Sequence, residues 1–280
     1  MNEPLVHLRA TGRQTDLALA WMRIRAIARR HAYVLKRSPH RLFDVTVWPL
    51  VDVLLFGSLG VFVSRHGGAG TIAFGYLLSG IVLWHVVYQS QIALSTGLLE
   101  ETWSRNLLNL MVTPLREVEY VAGVVLFGMV KLAIGVGVVV FTALGFYAFN
   151  VTNLGWGLAP IAAVLLAVGW VIALFVIGIV LRFGSGAEAL AWGILFIVMP
   201  LSGVFYPVQA LPLVLRPIAL ALPTTHAFAA GRALLVHRGL QWGQIWIAAG
   251  STVGLLVVAA VFVTAMLALF RKRGYVTRYS

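Results

Sequence analysis

Asp52, His85 and Lys131 are ionisable residues set inside long apolar runs. An isolated charge in a bilayer costs at least about 2.5–3.5 kcal/mol, so such residues need partners. At 1.5 Å per helical residue, Asp52 falls roughly 15 Å, His85 about 17 Å and Lys131 about 20 Å from the inner ends of their runs. All three therefore share a layer near a membrane midplane. The readings are a polar lining of a path or subunit interface, or a structural role: an Asp52–Lys131 ion pair, or a Lys131 that reaches water, beside a packed, hydrogen-bonded His85.

Other chemistry is excluded by residue type and spacing. A Gly-x-x-x-x-Gly-Lys-Ser/Thr phosphate loop is missing, because lysine stands only at Lys36, Lys131 and Lys272 and never follows glycine. None of the seven histidines precedes glutamate, so there is no His-Glu-x-x-His zinc site. The nine acidic residues are scattered, with only Glu100 and Glu101 adjacent, and give no acid/base pair. Without cysteine there is no disulfide or thiolate site. The sequence offers no catalytic residue, no metal site and no cofactor of its own.

The elements that must position these residues are membrane helices. Sixty per cent of the 280 residues are hydrophobic and 11% charged, against about 25% charged in soluble domains. Nine of the 21 Lys and Arg residues fall in residues 1–42 and four in 271–280. That distribution brackets apolar spans, so the net charge of +12 points to anionic lipid headgroups and not to nucleic acid. The expected organisation is one all-α membrane domain: an amphipathic region over 1–42, a bundle over 43–270 and a tail over 271–280. Six spans are expected, at about 43–63, 72–96, 118–147, 157–181, 187–206 and 243–270. The first begins too far into the chain for a cleavable signal. Six spans put both termini on one side. The cytoplasmic parts then hold the thirteen end charges plus Arg105, Arg116 and Arg182, against Arg65, Arg216, Arg232 and Arg238 outside.

Three segments do not span. In Leu17–Arg37, the residues Leu17, Trp21, Ile24 and Ala28 recur at helical spacing among arginines, as in a helix lying on the inner leaflet. In 100–119, Leu99, Trp103, Leu107, Leu110 and Met111 line one helix face. Glu101, Arg105 and Asn109 line another, and Thr113-Pro114 ends the helix. In 200–241, Pro200, Pro207, Pro212, Pro217 and Pro223 break an apolar stretch into pieces too short to cross, as in re-entrant or interfacial helices.

These segments, in this order, resemble the membrane subunits of type-2 ABC exporters over about residues 20–270. The stretch Glu100-Glu-Thr-Trp-Ser-Arg-Asn-Leu-Leu-Asn-Leu-Met-Val-Thr-Pro-Leu-Arg-Glu-Val-Glu119 is similar to the family's intracellular segment after its second span. Pro200-Leu-Ser-Gly-Val-Phe-Tyr-Pro-Val-Gln-Ala-Leu-Pro, with Leu222-Pro-Thr-Thr-His and Gly231-Arg232, resembles its signature after the fifth. The resemblance implies a coupling helix carrying Glu100, Glu101, Trp103, Arg105, Leu107, Met111 and Pro114, seated in an ATPase. It implies an N-terminal connecting helix and an outer gate carrying Gly203, Tyr206, Pro207, Pro212, Pro223 and Arg232. It further implies two permease copies, presumed identical, with two ATP-binding subunits that hold ATP and Mg, in a bacterial inner membrane. An amphipathic small molecule, drug or lipid-like compound is the expected cargo, because the spans carry few hydrogen-bonding groups. Polysaccharide or a lipid-linked glycan is the alternative. An ion-coupled transporter or channel would show an internal repeat, and a lipid-modifying enzyme a His/Asp/Glu cluster; neither is visible.

Overall fold

The computed structural model of the chain describes residues 8–66, 70–103, 115–184, 187 and 189–272. Every helix or strand assigned among them is helical. The helices are α1 (Leu8–Arg37), α2 (Pro39–His66), α3 (Gly70–Trp103), α4 (Glu117–Tyr147), α5 (Leu158–Phe183), α6 (Ala189–Leu201), α7 (Arg216–Ala221), α8 (Pro223–Leu235) and α9 (Trp242–Lys272). Short 3₁₀ turns lie at Val151–Leu154 and Val208–Ala210.

Five of these helices, α2, α3, α4, α5 and α9, are long and apolar enough to cross a membrane. The fifth expected span, 187–206, is the exception. Its helix α6 has 13 residues, about 20 Å at 1.5 Å per residue, short of a hydrocarbon core of about 30 Å. The run stays apolar beyond it, but the backbone turns at Ser202–Gly203, where Gly203 takes φ +62°, a conformation that favours glycine. The chain nevertheless returns across the bundle here. Trp156, just before α5, lies 6.0 Å from Trp242 at the start of α9, and Phe175 lies 5.7 Å from Phe262. So α5 and α9 run in the same direction, and the segment between them covers the way back in pieces.

The hub is α3, which packs against α2, α4, α5, α6 and α8. Leu78 to Val87 is buried without a break, as befits a helix surrounded on all sides. Close approach depends on missing side chains. A Cβ on Gly169 of α5 would fall 1.8 Å from Ser90 Oγ and 2.7 Å from the Val87 carbonyl oxygen. Small residues at such crossings let helices in lipid pack by van der Waals contact. By contrast, Gly250 and Gly254 of α9, which match Gly-x-x-x-Gly, meet nothing within 4 Å.

The N-terminal helix is longer than the expected Leu17–Arg37, and a different face packs on protein. Ile27, His31 and Leu35 are buried, whereas Leu17 and Trp21 are exposed and Ile24 and Ala28 half-buried. Three steps of α1 meet three steps of α4 in register. The Arg23 guanidinium lies 3.1 Å from Glu119 Oε1, Ile27 abuts Gly123, and His31 stacks on Phe127 at 5.6 Å. Glu119 also accepts the Arg116 backbone N–H at 3.0 Å, which satisfies an orphan donor at the start of α4.

Candidate functional site

The middle of α3 carries more polar groups than its hydropathy suggests. His85, Gln89, Ser90, Gln91 and Ser95 are all buried. His85 Nδ1–H donates to the Ile81 carbonyl at 3.0 Å, one helical turn back. A carbonyl only accepts, so this bond places the proton on Nδ1. The other ring nitrogen, Nε2, faces Asp52 Oδ2 of α2 at 3.5 Å. With Nε2 as an acceptor, the two groups can share a hydrogen bond only when one of them carries a proton. Tyr88 lies beside the pair, its ring 5.9 Å from that of His85.

Asp52 and His85 thus come together as the layer argument requires, but the partner seen at Asp52 is His85 and not the lysine expected for an ion pair. Lys131 is half-buried on α4. The carboxylate is 40% exposed while His85 is 1% exposed, so the pair has one buried and one open side. The open side belongs to a row of exposed α2 residues, Trp48, Val51, Leu55 and Leu59. The sequence reading missed Gln89, whose amide nitrogen is buried without a hydrogen-bond partner among the described residues and lies against Gly135 of α4. The signal was the polar run Tyr88-Gln-Ser-Gln91 inside an apolar span, one turn after His85.

Of the expected coupling residues, Glu100, Glu101 and Trp103 lie on the last turn of α3, which continues past the expected end of its span at 96. Arg105, Leu107, Met111 and Pro114 lie outside the described residues.

The expected gate residues are described, and they lie in a segment of short helices and turns, several of whose carbonyls are taken up by side chains. The Arg232 guanidinium donates to the Gly203 carbonyl, and burial draws that guanidinium below the usual arginine pKa. Tyr206 Oη donates to the Pro200 carbonyl at 2.9 Å. Arg216 Nε donates to the Leu211 carbonyl at 3.0 Å and a second guanidinium nitrogen donates to that of Gln209. Thr225 Oγ1 donates to the Ala219 carbonyl, and Ser202 Oγ pairs with Thr224 Oγ1 at 2.6 Å. Non-helical backbone at membrane depth needs such partners. Pro207 precedes the 3₁₀ turn, Pro212 begins the turn that leads to α7, and Pro223 opens α8, where a missing N–H costs nothing. Phe205 stacks on Phe56 of α2 at 4.1 Å, which joins this segment to the helix that bears Asp52.

Residues 18–236 match the family model of the ABC-2 type transporter. The chain belongs to that family. No curated protein matches the sequence. As an ABC-2 type transporter domain it is a multi-pass membrane component that works with ATP-binding subunits and is not itself the ATPase.

Proposed function

We propose that this chain is the permease of an ATP-driven exporter that moves an amphipathic small molecule, drug or lipid-like compound out across a bacterial cytoplasmic membrane. Two copies pair with two ATPase subunits. The observation that carries the reading is the half-open Asp52–His85 pair in an otherwise apolar row of α2. A carboxylate at mid-span does not face lipid cheaply, so this row meets a second copy or the transported molecule. A path with one polar pair among Trp48, Val51, Leu55 and Leu59 suits an apolar body with a polar group better than a sugar chain. The end of α3 and residues 104–114 form the coupling element, with Trp103 its anchor and Leu107 and Met111 beside it. The segment from Gly203 to Arg232 is the outer gate.

The test is reconstitution with the partner ATPase in proteoliposomes. Hydrolysis should rise with apolar amphipaths and stay flat with oligosaccharides of similar mass. Leu107→Asp should leave insertion intact but abolish that rise or release the ATPase on purification. Stimulation by glycans alone would replace the cargo class, and normal coupling in Leu107→Asp would remove the coupling assignment.

A further inference from the structure

The side of α1 turned away from α4 carries an open basic groove. Ile27, His31 and Leu35 face α4. Two residues on, Arg29, Tyr33 and Arg37 form a row rotated by about 200° at 100° per residue, hence on the opposite side. With Ala26, Arg30, Val34 and Ser38 they line an open groove of about 620 Å³. Arg29, Tyr33 and Arg37 are exposed. Helix α1 holds eight Lys and Arg residues and one acid, Asp16; that acid lies roughly 20 Å along the axis from Arg29.

We propose that this groove binds the phosphodiester headgroup of an anionic phospholipid. Guanidinium forks match phosphate oxygens with paired hydrogen bonds, and the Tyr33 hydroxyl supplies a third donor. Ala26 and Val34 stand among these polar residues and offer apolar surface to the glycerol and first methylenes of a lipid, which a free, hydrated phosphate does not use. Position agrees with chemistry. Ser38 at the end of the groove leads directly into α2, whose Leu42 and Phe43 are exposed, so the groove sits where the chain enters the hydrocarbon. A headgroup held there ties the outer face of α1 to the membrane while its inner face is tied to α4. The proposal is independent of what the transporter carries.

Lipid retention by the purified full-length chain is the test, measured by native mass spectrometry after exposure to phosphatidylglycerol, phosphatidylcholine or inorganic phosphate. The wild type should retain phosphatidylglycerol at least about tenfold over phosphatidylcholine, with the preference falling as salt rises. Arg29→Gln/Arg37→Gln should erase the preference, and Arg29→Lys/Arg37→Lys should keep only part of it, because charge remains but the fork is lost. Thermal stability should be unchanged in both variants, since neither residue touches α4. Equal retention of the two lipids by the wild type, or an undiminished preference in the Gln variant, would overturn the proposal. So would displacement of the lipid by inorganic phosphate at equal concentration. Loss of the ATPase from the Gln variant with lipid retention unchanged would show that the groove docks protein instead.

Discussion

At the scale of single residues, the Asp52–His85 pair makes an asymmetric prediction. With Nδ1–H given to the Ile81 carbonyl, Nε2 needs a donor opposite it. Asp52→Asn supplies one from its amide without a charge, and should change thermal stability by less than about 1 kcal/mol. His85→Leu leaves a carboxylate at mid-span, at a cost of about 2.5–3.5 kcal/mol unless it takes up a proton. Replacing both residues by leucine should recover much of that loss, because the cost belongs to the stranded partner. Strictly additive losses in the thermal-shift cycle would show that the two side chains do not interact. The Arg23–Glu119 pair at the α1–α4 junction allows a second cycle. Arg23 is 35% exposed and Glu119 7%, so solvent at the guanidinium should keep the coupling modest. Reversal to Arg23→Glu/Glu119→Arg should restore only part of it, since the backbone N–H of Arg116 also binds the native carboxylate.

Among the elements, the long helices follow the apolar runs closely, because length and charge alone decide what can lie in lipid. The expected runs 118–147, 157–181 and 243–270 correspond to Glu117–Tyr147, Leu158–Phe183 and Trp242–Lys272. The break after α6 was legible only in part: Pro200 opens the broken stretch, yet the expected span ran on to 206. Hydropathy stays high through Val204 and Phe205, while the turn depends on Gly203 and on an arginine 29 residues away that caps its carbonyl. Pairing at Asp52 was not legible, since depth fixes a layer but not the rotation of each helix within it. Nor was the packed face of α1, because two apolar rows share that helix and only contact with α4 selects one. Helix crossings give the prediction at this scale. Gly169→Val places methyl groups where Ser90 and the Val87 carbonyl already stand, and should destabilise the solubilised protein by about 1–3 kcal/mol. Gly137→Ala, with nothing within 4 Å, should instead raise stability slightly through helix propensity. Equal effects of the two changes in a thermal unfolding series would refute the claim that the α3–α5 crossing depends on a bare backbone.

For the molecule as a whole, the direction of each helix decides which ends share a side. The chain enters α2 beside the end of α1, crosses, and returns through α3. It crosses again in α4, whose Tyr147 reaches back to bond the Leu54 carbonyl in the second half of α2. It returns in α5. Because α9 starts beside the start of α5, the pieces from α6 to α8 supply a further passage, and α9 ends on the side where α1 lies. An even number of passages does this, although among the described residues five helices are long enough to span alone. The charges are divided unequally between the two sides. Helix α1, Arg116 and Arg182 stand on one, while Arg65 and Arg238 stand at turns on the other. Basic residues are retained on the cytoplasmic side during insertion, so α1 should lie inside and the turn at His237–Gly239 outside. The sequence has no cysteine to confuse the measurement. A single Arg238→Cys should react with an impermeant maleimide in intact cells, and a single Tyr33→Cys only after the membrane is opened. Reaction of both from outside would place α1 and the turn at His237–Gly239 on one face and break the parity. The reverse pattern would keep the fold and invert it in the membrane, which would make the segment from Gly203 to Arg232 an inner structure and leave the proposed gate on the wrong side.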